Sequence, residues 1–246
     1  MKLHYVDVGA ANNTRESAWE SNKSVRYTLF EPDPVAAEKL RQNSSSSTSV
    51  VESALGSASV TSTLNICIKR ELSSVLEPNI ELLERYPDAS RWKIVDRLPI
   101  EINTLDSFIS TIGRIDFLKL DTQGSELDIL KGAASALNDV LAIQVEVEFI
   151  PLYIDQPLFG DISDFLLARG FEFWDFTTVY RYGRENLDRT GQAVFADALF
   201  LRSPESIMVG NAPLISLEKL NNLATIARVF GKCDIEKLCK EKIELL

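Results

Sequence analysis

Acidic side chains stand near the ends of several apolar segments, which is where an α/β sheet places its ligands. Five acids have this position: Asp7, Glu31, Asp121, Glu146 and Glu148. At the carboxyl end of a parallel strand, a side chain faces the ligand crevice. A carboxylate there would accept hydrogen bonds from ribose hydroxyls, take a proton from a reacting hydroxyl, or bind an oxygen-preferring divalent cation.

Asp7 is followed by the small residues Gly9, Ala10 and Ala11, which would let a ligand approach the backbone closely. Glu31 stands roughly 20 residues further on, the spacing at which a nucleotide-binding βαβ unit places an acid on ribose hydroxyls. A second interpretation of Glu31 is a solvated helix N-terminus, since two prolines open the next helical pattern. The pattern predicts a nucleotide site and leaves this second interpretation open.

The stretch 115–133 organises the chain, because it changes from a strand pattern to a helix pattern across one polar, glycine-containing turn. A short apolar run ends at Asp121, and apolar residues then recur three or four positions apart, as on one face of a helix. Asp121 would face the crevice, or it would only cap the helix. Thr122 or Ser125 is the other candidate for that cap.

A later segment, Leu141 to Phe149, alternates apolar and polar residues, so Glu146 and Glu148 share one strand face. A solvent-facing edge would explain them as well. A strand beside the one that ends in Asp121 should be central, however, and unpaired carboxylates are costly there. Asp121, Glu146 and Glu148 are therefore the candidate catalytic residues, as base, orienting carboxylates or ligands of a metal whose involvement stays open.

The chain's single histidine, His4, begins the first strand and so lies at the amino end of the sheet. A surface or packing role is expected for it. Aromatic and basic residues form a second candidate set at the rim of the site. These are Tyr153, Tyr180, Arg181 and Tyr182, which suit sugar stacking but commonly just pack.

The order of the remaining elements predicts the sheet. A third strand is expected at Val50–Leu55, and its small terminal residues would lie flat against a planar ligand. An excursion with an antiparallel strand at Thr61–Lys69 and an extended segment at Trp92–Ile102 would cover the site. Two late strands, Phe171–Phe176 and Val194–Leu201, have no helix between them and form a hairpin.

Five strand–helix units closed by an antiparallel pair indicate an α/β, Rossmann-like class I methyltransferase fold. Its mostly parallel seven-stranded sheet has the order 3-2-1-4-5-7-6, with strand 7 antiparallel. We expect this domain at residues 1–203 and a C-terminal helical extension at residues 204–246. The first crossover, between Ala10 and Ser24, should be irregular. The apolar stripe of the extension would pack on the domain or form a homodimer, and its members are Leu220, Leu223, Ile226 and Phe230.

Composition limits the partners. The 246 residues are 45% hydrophobic and 25% charged, as in ordinary globular proteins. A net charge of −10 opposes nucleic-acid binding, which needs clustered Lys and Arg. Three widely spaced cysteines without a Cys-x-x-Cys pair argue against a disulfide framework or a zinc site. No apolar segment has the length of a membrane span or a secretory leader, so a cytoplasmic protein is expected.

Six segments, in this order, resemble the FkbM-type methyltransferases. They are VDVGA at Val6, FEPDP at Phe30, SALG at Ser53, TLDSF at Thr104, DFLKLDTQGSELDILKGA at Asp116 and QVEVEF at Gln144. The resemblance covers Val6 to about Arg202. It implies an S-adenosylmethionine-dependent O-methyltransferase whose acceptor is a hydroxyl of a small molecule or glycan, namely a sugar, a polysaccharide precursor or a related metabolite.

The resemblance also implies roles for single residues. Asp7 and Gly9 would hold the methionine end of S-adenosylmethionine, and Glu31 its ribose hydroxyls. Asp121 would face the reaction centre. The implied cofactor contacts are Asp7, Gly9, Ala10, Glu31, Pro32, Ser53, Ala54, Leu55 and Asp121, of which Ser53, Ala54 and Leu55 would flank the adenine.

The sequence departs from the commoner family pattern at two places. Gln123 stands where an acid is usual, which removes one candidate metal ligand or base. Ala11 and Asn12 replace the usual Asn and Ile-like residues, so contacts from this loop are less defined.

Two other functions stay open. A nicotinamide-dependent oxidoreductase would need a fuller Gly-x-Gly-x-x-Gly after the first strand, and the chain lacks it. A non-catalytic scaffold that keeps the fold and the cofactor is the other, because fold does not fix function.

Overall fold

The computed structural model describes residues 2–12, 19, 24–184, 191–207 and 213–246. Its strands are β1 (Leu3–Val8), β2 (Val25–Phe30), β3 (Thr48–Val51), β4 (Ala54–Leu55), β5 (Val60–Cys67), β6 (Ile94–Asn103), β7 (Phe117–Leu120), β8 (Ala142–Glu148), β9 (Phe171–Tyr182) and β10 (Gln192–Arg202). Its α-helices are α1 (Pro34–Gln42), α2 (Ile80–Leu83), α3 (Leu105–Ile112), α4 (Glu126–Lys131), α5 (Phe159–Leu167), α6 (Pro204–Ile207), α7 (Pro213–Val229) and α8 (Cys233–Ile243).

The larger of two sheets has the strand order β3-β2-β1-β7-β8-β10-β9. Strands β4, β5 and β6 form a separate sheet, so the labels differ from those of the predicted sheet. Counted within the larger sheet alone, the order is 3-2-1-4-5-7-6. Strand β10 runs antiparallel to both of its neighbours, and the other pairs are parallel. The predicted class I methyltransferase fold is confirmed.

Local sequence explains where the helices begin and end. The Asp33 side chain accepts a hydrogen bond from the Val35 backbone N–H at 3.0 Å and caps α1. Thr104 caps α3 in the same way, through the Ser107 N–H at 3.2 Å. Gly113 follows α3 with a φ of 77°, a left-handed conformation that favours glycine.

Helices cover both faces of the larger sheet, which explains why β1, β7 and β8 are buried along their whole length. One face packs against α3, α4 and α5, around Leu118 and Val145. The other face packs against α7 and α8, around Tyr5 and Phe117. On that second face, apolar side chains fill the amino-terminal half, and acids occupy the carboxyl ends of the strands.

The C-terminal stripe is buried against this second face. Leu220, Leu223 and Ile226 lie in one cluster with Tyr5 and Phe117. The stripe therefore packs on its own chain. A homodimer stays a prediction, but it is no longer needed to cover this apolar face. None of the described helices combines the length and the apolar character needed to cross a bilayer.

The third strand was predicted too long. It ends at Val51, and Ala54 and Leu55 instead pair with β6 in the smaller sheet. The Gly56 N–H continues this pairing with a 2.9 Å hydrogen bond to the Asn103 carbonyl. Ala54 and Leu55 are buried in the smaller sheet, and a strand buried in the larger sheet would have the same small, apolar residues. The sequence therefore does not distinguish the two positions.

The remaining differences concern the excursion and the loops. The predicted antiparallel strand and extended segment are β5 and β6, which pair from Val60 with Ile102 to Cys67 with Ile94, with one irregularity in register. Strand β9 continues to Tyr182, past its predicted end at Phe176. The predicted irregular crossover between Ala10 and Ser24 lies mostly outside the described residues. Of its two apolar anchors, Trp19 is described, and it is buried edge-on against Tyr5 with ring centroids 5.3 Å apart.

Candidate functional site

A cleft opens at the carboxyl ends of β2, β1 and β7, where parallel sheets of this kind bind ligands. It encloses about 1070 Å³, part of which is open solvent. Residues 70–76, here called the roof segment, follow β5 and contribute one wall. The lining residues used below are Gly9, Glu31, Pro32, Ser53, Ala54, Leu55, Arg70, Ser74, Asp121 and Gln123.

The loops after β1 and β7 lie side by side at the centre of the cleft. Gly9 has a φ of 82° and donates a 3.0 Å hydrogen bond to the Phe30 carbonyl of β2. On the other side, the Asp121 N–H donates to the Val8 carbonyl at 3.0 Å. The strand ends therefore hold Glu31, Gly9 and Asp121 in one row.

Glu31 is buried, with 4% of its surface exposed, yet its carboxylate lines the cleft. It accepts a 2.9 Å hydrogen bond from the Asp33 N–H and another from the backbone of Ala11. Burial raises the pKa of Glu31 to about 7, with a further increase from the charges of Asp33 and Asp7. A ligand with two hydroxyls would supply donors to this carboxylate.

Asp121 lines the cleft with 23% of its side chain exposed. Its Oδ2 lies 3.6 Å from the Lys119 ammonium, which also lies 3.7 Å from Oδ1 of the fully buried Asp7. Burial alone would lower the pKa of Lys119, but the carboxylates raise it above its ordinary value. The carboxylates responsible are Asp7, Asp121, Asp197 and Glu146. The lysine is therefore a permanent cation beneath the cleft.

Gln123 connects Asp121 to Glu146. Its Nε2 donates to Asp121 Oδ1 at 3.1 Å and to Glu146 Oε2 at 2.5 Å, and its Oε1 lies 3.1 Å from the Tyr153 hydroxyl. Burial raises the pKa of Glu146 well above its ordinary value, and nearby negative charges raise it further. Those charges belong to Asp121, Glu148, Glu126 and Asp197.

The helix after Asp121 begins without a side-chain cap. Neither Thr122 nor Ser125 supplies a capping side chain, so that prediction is wrong. The carboxylate of Glu126 instead accepts hydrogen bonds from the Thr122 N–H at 2.7 Å and the Gly124 N–H at 2.9 Å. This leaves the Asp121 carboxylate directed at Gln123 and Lys119 instead of at the helix.

The structure places most of the predicted cofactor contacts on the cleft, namely Gly9, Glu31, Pro32, Ser53, Ala54, Leu55 and Asp121. Asp7 and Ala10 are buried behind it. Glu146 and Glu148 are buried too. Glu146 is connected to the cleft by the hydrogen bond that it accepts from Gln123, which lines the cleft. Burial and the charge of Glu126 raise the pKa of Glu148 well above its ordinary value.

The predicted rim tyrosines differ in their exposure to solvent and do not form one surface. Tyr153 is fully buried, and Tyr182 packs against Trp92 at 6.0 Å between ring centroids. Tyr180 remains 42% exposed and stacks on Phe195 at 4.3 Å. His4 is a packing residue, bonded to Thr28 and to the Arg114 carbonyl, as expected.

Sequence reasoning missed the roles of Lys119 and Gln123. A lysine inside a four-residue buried strand was a usable signal, because a buried ammonium needs carboxylate partners. The sequence pattern presents Gln123 only as the loss of an acid, and its side chain contacts Asp121, Glu146 and Tyr153, which are far apart or unmarked in the sequence. Among the described residues, no group of three or more His, Cys, Asp or Glu side chains is arranged to hold a metal ion.

Comparison with known proteins gives one family. The family described as "Methyltransferase FkbM domain" matches residues 7–173. No curated protein matches the chain. Similar solved structures include magnesium protoporphyrin IX methyltransferase from Synechocystis PCC 6803, with 8% identity over 82% of this chain and 71% of that chain, at a TM-score of 0.40.

Two further structures are comparably distant. Precorrin-6y C5,15-methyltransferase from Geobacter metallireducens has 10% identity over 82% of each chain and a TM-score of 0.42. TrmK from M. capricolum, in complex with S-adenosyl-homocysteine, has 7% identity over 99% of this chain and 92% of that chain, also at 0.42. Likenesses this remote carry no argument about activity or substrate.

Proposed function

The chain belongs to the FkbM methyltransferase family, and from that premise we propose that it transfers a methyl group from S-adenosylmethionine to a hydroxyl oxygen. The acceptor is a small molecule or glycan, namely a sugar, a polysaccharide precursor or a related metabolite. One observation carries the proposal: Glu31 and Asp121 line the same cleft from strands that flank β1, with Gly9 between them.

The residues of the cleft fit the methyl donor. Glu31 offers an acceptor for the two ribose hydroxyls, and Ala54 and Leu55 offer apolar surface to the adenine. S-adenosylmethionine, when bound, supplies a methyl group on a positively charged sulfur. The carboxylates around Asp121 favour that positive charge, since opposite charges attract strongly where water is excluded.

Asp121 is the residue that would accept the proton. Its Oδ1 accepts a hydrogen bond from the Gln123 amide, and its Oδ2 lies 3.6 Å from the Lys119 ammonium, so Oδ2 is the oxygen that keeps room to accept a proton. A positioned carboxylate that removes a proton as the new bond forms typically contributes roughly 10²- to 10⁴-fold to a rate. Alignment of the hydroxyl oxygen with the methyl group would supply much of the remainder.

Glu146 would act behind Asp121. It is buried and reaches the cleft through one hydrogen bond, which suits a residue that orients Asp121 through Gln123 better than one that touches the acceptor. Glu148 lies one pleat further along the same strand face and is assigned the same supporting role.

The test is methyl transfer itself. The protein is incubated with S-adenosylmethionine labelled in its methyl group and a panel of monosaccharides, nucleotide sugars and oligosaccharides. We expect label in one class of hydroxyl compound and formation of an equal amount of S-adenosyl-homocysteine. Label in nucleic acid or protein, with none in hydroxyl metabolites, would overturn the acceptor class while leaving the donor in place.

A further inference from the structure

Gln123 occupies a strained backbone position. Its φ is 59°, in the left-handed region that residues other than glycine seldom adopt. Strain of this kind costs about 1–3 kcal/mol and persists where surrounding contacts enforce it, commonly at functional sites. The hydrogen bonds made by the Gln123 side chain and carbonyl are the contacts that hold this backbone conformation.

Both amide N–H bonds of Gln123 are used. One is donated to Asp121 at the end of β7 and the other to Glu146 near the end of β8. An amide donates two hydrogen bonds from one nitrogen, so it can join two carboxylates without adding charge. A carboxyl group at position 123 would instead place a third acid between them.

The other atoms of Gln123 reach the roof segment. The Tyr153 hydroxyl lies 3.1 Å from Gln123 Oε1 and 2.8 Å from the Leu72 carbonyl, so its one proton is shared between these acceptors. The Ser74 hydroxyl donates to the Gln123 backbone carbonyl at 2.7 Å. Since Ser74 and Gln123 both line the cleft, their hydrogen bond joins the roof segment to the loop after β7.

We infer that Gln123 is a positioning residue, which links the roof segment over the methyl donor to the Asp121–Glu146 pair that faces the acceptor. Its amide holds Oδ1 of Asp121 and so sets the orientation of the carboxylate whose Oδ2 would take the proton. Its carbonyl and Oε1 hold the roof segment at the same time. The inference rests on the proposed function for the identity of the two ligands, but the link itself exists in the ligand-free protein.

A glycine variant isolates the side chain. Gln123→Gly removes the amide and suits the left-handed backbone, so loss of the link is not confused with added strain. Asp88→Gly is the matched control, because Asp88 has a φ of 62° and is exposed, away from the residues that line the cleft.

Hydrogen–deuterium exchange of the ligand-free proteins measures the link. We expect the amides of residues 70–76 to exchange at least fivefold faster in Gln123→Gly and at the parental rate in Asp88→Gly. Equal exchange of these amides in the parent and in Gln123→Gly overturns the inference. This measurement needs no ligand, so it stands even if S-adenosylmethionine does not bind and the proposed function fails.

A second variant tests whether the side chain adjoins the reacting sulfur. Gln123→Glu places a carboxyl among several charged and titratable groups, which are Lys119, Asp121, Glu126, Glu146, Glu148, Tyr153, Tyr180, Tyr182 and Asp197. S-adenosylmethionine carries a sulfonium charge and S-adenosyl-homocysteine does not, so the ratio of their dissociation constants reports charge at the sulfur.

In a series from pH 6 to 9, we expect Gln123→Glu to exceed the parent at the same pH by at least threefold in preference for the sulfonium ligand once the introduced carboxyl is ionised. Titration of Glu31 affects the ribose of both ligands equally and cancels in the ratio. A ratio in Gln123→Glu that equals the parental ratio at every pH would place the side chain away from the sulfur and overturn its positioning role.

Discussion

The carbonyl oxygen of Asp121 lies directly over the α-carbon of Gly9, so closely that a Cβ at position 9 would sit 1.9 Å from it. Strands β1 and β7 are parallel neighbours whose ends, Val8 and Leu120, are paired in register. The loop that follows β1 and the acid that follows β7 consequently share one wall of the cleft. This contact sets the distance between Gly9 and Asp121 in the cleft.

Gly9→Ala should disrupt the cleft. The added methyl group meets backbone, which cannot move aside as a flexible side chain does, and a φ of 82° disfavours alanine. We expect the free energy of unfolding to fall by at least about 2 kcal/mol and S-adenosyl-homocysteine binding to be lost. Denaturant unfolding and calorimetry measure the two effects.

Gly160→Ala is the matched control for that substitution. Gly160 lies in α5 with no atom within 4 Å of the added Cβ, and alanine favours helix. Its stability should be unchanged or slightly raised. Equal stability of Gly9→Ala and Gly160→Ala would show that the loop after β1 adjusts without cost.

Ionisation of Glu31 should weaken the ligand-free fold. Its pKa is about 7 in the folded protein and about 4.5 in the unfolded chain, so the folded state holds the proton more tightly. Its contribution to stability is therefore complete below pH 4.5 and is lost as the pH rises through 7. The loss corresponds to about 3 kcal/mol, at about 1.4 kcal/mol for each pKa unit.

Glu31→Gln removes this titration. Thermal or denaturant unfolding of the variant and the parent, compared at pH 5 and pH 8, should show little difference at the lower pH and a more stable variant at the higher one. Taking the difference cancels the other titrating groups. Glu84→Gln, at an exposed position, controls for the change in net charge. A difference that is constant with pH would mean that Glu31 keeps its ordinary proton affinity.

Asp121→Asn tests the proposed proton acceptor. The substitution keeps the shape and removes the charge and basicity, so methyl transfer to the identified acceptor should fall by roughly 10² or more when it is measured at a temperature where the variant is fully folded. Asp128→Asn, an exposed acid on α4, should keep the parental rate.

Chelator treatment then separates two explanations of a slow Asp121→Asn variant. A parental rate that is unchanged by EDTA assigns Asp121 to proton transfer, and a rate that falls and returns with Mg²⁺ or Mn²⁺ assigns it to metal binding. An Asp121→Asn variant as fast as the parent would remove Asp121 from the chemistry.

The sheet was readable from the sequence because its strands are apolar runs with regular crossovers, and the acids at their ends mark the cleft. Glu31 and Asp121 were found in this way. The contacts of Gln123 were not, because Tyr153 and Glu146 are distant in sequence and meet it only after the sheet is assembled. The pairing of Ala54 with β6 was missed for a similar reason. The two small apolar residues Ala54 and Leu55 would suit either sheet, and their sequence does not indicate which one they join.

Burial of the C-terminal helices predicts a stability effect. Leu223 on α7 is fully buried among residues of the larger sheet, so Leu223→Ala should cost about 2–5 kcal/mol. Leu167→Ala, at a half-exposed position, should cost far less. A Leu223→Ala variant as stable as the parent would mean that α7 contributes little to the fold.

The central claim, that the cleft binds the methyl donor through Glu31, is tested most directly by calorimetry. S-adenosylmethionine and S-adenosyl-homocysteine are titrated into the parent, into Glu31→Ala and into the control Glu84→Ala, with NADH as a competing candidate. We expect saturable binding of both donor ligands, no binding of NADH, and a roughly ten- to hundred-fold loss in Glu31→Ala, the effect of losing about 1.5–3 kcal/mol of hydrogen bonding to a charged group. A folded parent that binds neither donor ligand, or that binds NADH in their place, would contradict the account.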